Sequence, residues 1–139
     1  MARTTFSGPV VSLNGFIQGH QPTADNAINA TATATAAQVA DGYITSTSAA
    51  ATTITLPTGT ALGTALGAAR GTILDLFVDN TAGASTVTMA VNTNAVLSSA
   101  AADTPGSFGD LTIASGATGI ARFTLMFSSA TAYTFTRTA

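Results

Sequence analysis

From Thr72 onward the chain alternates with a period of two, and this alternation constrains the fold more than any other feature. In TILDLFVD, Leu74, Leu76 and Val78 fall on one face, while Ile73, Asp75, Phe77 and Asp79 fall on the other. TVTMAV repeats the scheme, with Val87, Met89 and Val91 set against Thr86, Thr88 and Ala90. In IARFTLMFS, Ala121, Phe123, Leu125 and Phe127 oppose Ile120, Arg122, Thr124 and Met126, and in AYTFTRT, Tyr133, Phe135 and Arg137 oppose Thr134, Thr136 and Thr138. Successive side chains of a strand point to opposite faces, so each run predicts a strand with one face for a core. Strands at this spacing, broken by NTAGAS, NTN, SGATG and SSAT, predict an all-β body, a β-sandwich or small barrel. The short turns predict that LTIAS and the two strands after it form a meander.

The first half is blander. ATATATAA has strand period too, with methyls on one face and hydroxyls on the other, or it is a flexible linker. In AAQVADGYITST, Asp41-Gly42 signals a turn and Tyr43-Ile44-Thr45 a strand. TTITL predicts a short strand stopped by Pro57. TGTALGTALGAARG is the one helix candidate, with Leu62 and Leu66 at an i, i+4 spacing, although Gly63 and Gly67 each cost ~1 kcal/mol relative to Ala.

Composition narrows the function classes. Charged residues are 7% of the 139, four Arg and six Asp with neither Lys nor Glu, against a usual share of about 25%. Ala (29) and Thr (27) fill much of the chain instead. Lys and Glu are depleted at protein interfaces, so their absence fits a chain whose faces are covered by partners. A net charge of −2 with four scattered arginines offers no basic patch for phosphates, which argues against nucleic acid. No run reaches the ~18 apolar residues of a membrane span, and MARTTFSGPV lacks a signal's apolar core, so synthesis in the cytoplasm is expected. Zero cysteines exclude disulfides and thiolate metal sites.

No catalytic constellation emerges, and no enzyme, cofactor or metal site is expected. His20 is the single histidine, which rules out paired-histidine zinc motifs, and no G-x-S-x-G elbow accompanies it. Asp75 and Asp79 share a strand face, but Asp79-Asn80 opens a turn where Asp caps backbone amides. Asp103-Thr104-Pro105-Gly106 is likewise a turn. GTALGTALGAARG lacks the lysine of a phosphate-binding loop. Arg122 and Arg137 are expected in ion pairs with an Asp of the same or a neighbouring subunit.

The N-terminal stretch FSGPVVSLNGFIQG carries Phe6, Val10, Val11, Leu13, Phe16 and Ile17 without a charge. Ser7-Gly8-Pro9 interrupts a continuous ladder, and Leu13-Asn14-Gly15-Phe16 holds the Asn-Gly signal of a tight hairpin between VVS and FIQ. An isolated hairpin is marginal in water, so this one needs a surface. It is either an arm (residues 1–30) beside a body (31–139) or the first hairpin of the body's own sheet.

FSGPVVSLNGF, AAQVADGYITS with TITLPT, the small-residue helix, a strand ending in DN and the closing SSATAYTFTR together resemble small head decoration (cement) proteins of tailed bacteriophages. The resemblance implies a β-sandwich or jelly-roll-like body with one short helix and an N-terminal arm, a homotrimer on the outer surface of the virion capsid, and the major capsid protein as partner. It implies no catalytic residues. The capsid or subunit contact candidates are Phe6, Val10, Val11, Phe16, Ile17, Arg122 and Arg137. The alternative is a receptor- or glycan-binding module of a head or tail fibre, with Tyr43, Tyr133 and the turns at 79–80 and 92–94 as binding groups. A glycosidase or esterase has little to draw on, since Glu is absent.

Overall fold

The computed structural model describes residues 26–97 and 110–138. These form strands β1 (Ala32–Thr33), β2 (Tyr43–Thr45), β3 (Thr52–Thr55), β4 (Ile73–Asp79), β5 (Val87–Ala90), β6 (Ala95–Leu97), β7 (Thr112–Ile113), β8 (Ile120–Ser129) and β9 (Ala132–Arg137). Two helices, α1 (Ala36–Ala40) and α2 (Gly59–Leu66), and a 3-10 turn at Gly116–Thr118 complete them. The fold is mainly β, in two mixed sheets, one ordered β1-β3-β5-β7 and the other β2-β4-β8-β9-β6.

The alternation in the second half delivers the core. Leu76 and Val78 of β4, Ala121, Phe123, Leu125 and Phe127 of β8, and Tyr133 and Phe135 of β9 are all buried. Antiparallel register sets Leu76 beside Phe123 and Leu125 beside Phe135. The rings of Phe123 and Phe135 meet edge to face at 6.3 Å, an arrangement that adds to simple area burial. Ile54, Val87, Met89 and Ile113 of the other sheet join the same cluster. Tyr133 donates its buried hydroxyl to the Pro57 carbonyl at 2.7 Å, so its one polar group keeps a partner.

Two local expectations change, and strand direction, which patterning does not report, is added to them. β7 pairs antiparallel with β5, Val87 opposite Ile113, and not with β8. The predicted meander is therefore only the β8–β9 hairpin, and the chain switches sheets through the 3-10 turn, where Gly116 has φ +79°. Asn80 anchors that switch: its Nδ2 donates to the carbonyls of Ser85 (2.9 Å), Ile113 (3.3 Å) and Ala114 (2.9 Å). Among the described residues, four of seven ladders are parallel, β1–β3, β2–β4, β3–β5 and β6–β9.

The Ala/Thr tract is the second change. Only Ala32–Thr33 is strand, and α1 follows at once. Thr35 accepts from the Gln38 amide at 3.2 Å, while Gln38 Oε1 accepts from the Thr35 amide at 2.9 Å. This capping box starts the helix where alternation alone would continue the strand. Val39 buries the helix's inner side.

Helix α2 lies where Leu62 and Leu66 place it. Thr58 caps its N-terminus through the Ala61 amide, and Gly67, at φ +57°, ends it in the left-handed conformation. Gly59, at its first position, and Gly63, in its interior, have a packing reason. A Cβ at Gly59 would overlap the Thr131 carbonyl oxygen, and one at Gly63 the Ala130 carbonyl oxygen. The helix thus rests backbone to backbone on the β8–β9 turn, a contact only glycine permits.

Candidate interaction surface

The alternation that fills the core sends the other half of each strand to the outer face of the five-stranded sheet. Register aligns these side chains in rows. Ile73 sits beside Met126, and Met126 beside Thr134; Asp75 sits beside Thr124, and Thr124 beside Thr136. Tyr43 neighbours Phe77, which neighbours Arg122, and Thr45 neighbours Asp79, which neighbours Ile120.

This face is unusually apolar. Among the described residues, five of the six exposed large hydrophobic side chains belong to it: Ile73 (62% exposed), Ile120 (53%), Met126 (50%), Phe77 (41%) and Tyr43 (40%). Scattered apolar residues are ordinary on a surface, whereas their gathering on one sheet face makes it the candidate interaction surface.

The polar groups of the face are tied to one another. Asp79 accepts from the Tyr43 hydroxyl at 2.7 Å and, through its other oxygen, from the amide and hydroxyl of Thr81 at 2.9 and 2.6 Å. The Thr81 hydroxyl first, then that of Tyr43 and the Thr81 amide, hold the carboxyl below its ordinary value. The bond to Asp79 correspondingly raises the Tyr43 phenol. Asp75 accepts from Thr124 Oγ1 at 2.6 Å, and Arg122 Nε donates to Thr138 Oγ1 at 3.0 Å. Chemically this face can bury apolar surface and exchange a few hydrogen bonds. Among the described residues no three His, Cys, Asp or Glu side chains group as metal ligands, and no helix is long and apolar enough to cross a membrane.

The contact candidates separate. Arg122 lies on the outer face beside Phe77. Arg137, opposite Phe123 on the inner side of the ladder, instead joins the two sheets of its own chain: Nη1 reaches Asp110 Oδ2 at 3.1 Å and the Thr112 carbonyl at 2.8 Å. Phe6, Val10, Val11, Phe16 and Ile17 lie outside the described residues, as do the hairpin signal, His20 and the Asp103 turn. Of the groups suggested for sugar binding, Tyr133 and Asn80 are buried, and Asn92 donates to the Leu56 carbonyl at 2.8 Å.

Periodicity sets Ile73 and Phe77 apart from Leu74, Leu76 and Val78, and Ile120 and Met126 apart from Phe123, Leu125 and Phe127, without giving them a role. The signal for one was present: β4 and β8 carry large apolar residues on both faces, and one core can absorb only one of them. Comparison with family models, curated proteins and solved structures returns no match to this chain.

Proposed function

We propose that this chain is a structural decoration protein of a phage head, which docks on the outside of the capsid and bridges capsomers. The observation that carries the reading is the apolar outer face of the five-stranded sheet, in a chain with neither Lys nor Glu. A sheet face of this kind needs a cover, and a surface with so few charges suits a lasting protein partner better than water. The partner on this reading is the major capsid protein, with further copies of the chain in a homotrimer, on the outer surface of the virion. The activity is mechanical: apolar burial at many equivalent points holds the shell together, and each arm of a trimer raises the effective concentration of the next.

On the same reading the two sheets sharing a core are the layers of a β-sandwich of jelly-roll-like kind. Its parallel ladders depart from the antiparallel pairing of a simple jelly roll. No catalytic step is proposed.

The glycan-binding reading loses support with the burial of Tyr133 and Asn80, which leaves Tyr43 as the one exposed aromatic of that set. Binding of the purified full chain to naked heads, to host cells and to a glycan panel discriminates the readings. Saturable binding to heads alone is expected. Binding to cells or glycans, with none to heads, overturns the proposal.

A further inference from the structure

The chain enters the described body at a place that bears on what covers the apolar face. Thr45 donates its amide to the Asn26 carbonyl at 3.2 Å, and Ile28 donates to the Thr45 carbonyl at 2.9 Å, with Ala27 bridging Thr45 in parallel. The Asn26 side chain adds bonds to Asp41 at 3.0 Å and to the Tyr43 carbonyl at 3.3 Å. Residues 26–28 therefore lie along the β2 edge of the five-stranded sheet. Asn26, the first described residue, thus sits at that edge beside Tyr43, where the exposed row Tyr43, Phe77, Arg122 begins.

We infer that the outer face of the five-stranded sheet is the seat of residues 6–17 of the same copy. The occupant is suited in chemistry: FSGPVVSLNGFI holds six large apolar residues and no charge. Its tether is suited in length and composition. QGHQPTAD, residues 18–25, is polar and contains Gly and Pro, and eight extended residues reach about 26 Å. The three interstrand steps from β2 to β9 span about 15 Å. Tethering supplies an effective concentration on the order of millimolar, which an untethered competitor must exceed.

A second copy placed face to face is the weaker occupant. Each face carries Asp75 and Asp79 against one Arg122, so two identical faces bring like net charge together, whereas residues 6–17 bring none. The inference concerns the free protein and stands apart from the capsid reading. If both hold, docking exchanges an internal contact for one with the shell.

Because the chain has no cysteine, a nitroxide on Ser12→Cys, and in a second sample on Ser7→Cys, reports the position of the segment in the otherwise intact chain. Methyl resonances of Ile73, Ile120 and Met126 report the outer face, and those of Ile54 and Ile113 the opposite sheet. The expected result is paramagnetic broadening several-fold stronger at the outer-face methyls, lost on Phe77→Asp. It should be absent when nitroxide-bearing chains are mixed with isotope-labelled chains that carry none. Equal or absent broadening from both label positions overturns the inference. So does broadening that appears in the mixed sample, which assigns the seat to another copy's segment.

Discussion

Substituting Gly63 by alanine sets two physical effects against each other with opposite signs. In a solvent-exposed helix the change removes backbone freedom from the unfolded chain and stabilises by about 1 kcal/mol. Here the new Cβ would overlap the carbonyl oxygen of Ala130 and come within 3.0 Å of its carbonyl carbon and 3.4 Å of Phe127 Cε1. The first two neighbours are backbone, so no side-chain rotation relieves the overlap. Helix α2 and the β8–β9 turn must separate by on the order of 1 Å, a displacement of the overpacking kind that costs about 1–3 kcal/mol. The upper end applies, because the movement also loosens Leu62, which is fully buried. Subtracting the propensity gain leaves a net loss of about 2 kcal/mol. For a chain of this size that lowers the melting temperature by about 6–8 °C. Thermal and urea unfolding followed by circular dichroism measure it, with Thr64→Ala on the exposed side of α2 as the control. The control is expected to stabilise by about 0.5 kcal/mol. A Gly63→Ala protein as stable as wild type, or more so, refutes the packing argument.

Other outcomes follow from the same structure. Asn80→Ala leaves the Ser85, Ile113 and Ala114 carbonyls without their shared donor and should cost about 2–4 kcal/mol in urea unfolding. Asn80→Asp, similar in shape but unable to donate, should cost as much; a near-neutral Asn80→Asp contradicts the assignment. Burial raises the Tyr133 phenol well above its ordinary range. The folded state holds this proton more tightly than the unfolded chain, so the associated stability is complete below pH about 10 and falls as pH rises towards the folded-state value. Tyr133→Phe should flatten that alkaline decline while costing about 1 kcal/mol at neutral pH through the lost bond to Pro57. An unchanged alkaline slope in the variant contradicts it.

Much of this architecture was legible because period-two patterning reports which side chains share a face. The sets of residues that share a face on β4, β8 and β9 follow directly from it, as does the site of α2 from Leu62 and Leu66; Gly67, read as a cost inside the helix, instead closes it. Patterning does not report strand direction, however, and the parallel ladders left no local trace. The placement of β7 depended on Asn80, a residue thirty-odd positions upstream in the chain that holds Ile113 and Ala114. In the Ala/Thr tract, the hydroxyl of Thr35 could serve a strand face or a helix cap equally well, and the pairing with Gln38 decided it.

The candidate surface was legible only in part. The facial assignment of Ile73, Phe77, Ile120 and Met126 could be read from alternation, but which face met the core depended on the second sheet. Arg122 and Arg137 looked alike as isolated cations on mixed strands. Their registers separate them, one towards the outer face and one across to Asp110.

The central proposal concerns where the protein acts, and a reconstructed electron-microscopy map of the mature particle, with the chain's copy number measured by quantitative mass spectrometry, tests it most directly. The account predicts hundreds of copies per particle, with density for the two-sheet body repeating over the outer surface of the head. Copies confined to the tail or a single vertex, or no copies on the particle at all, would contradict it.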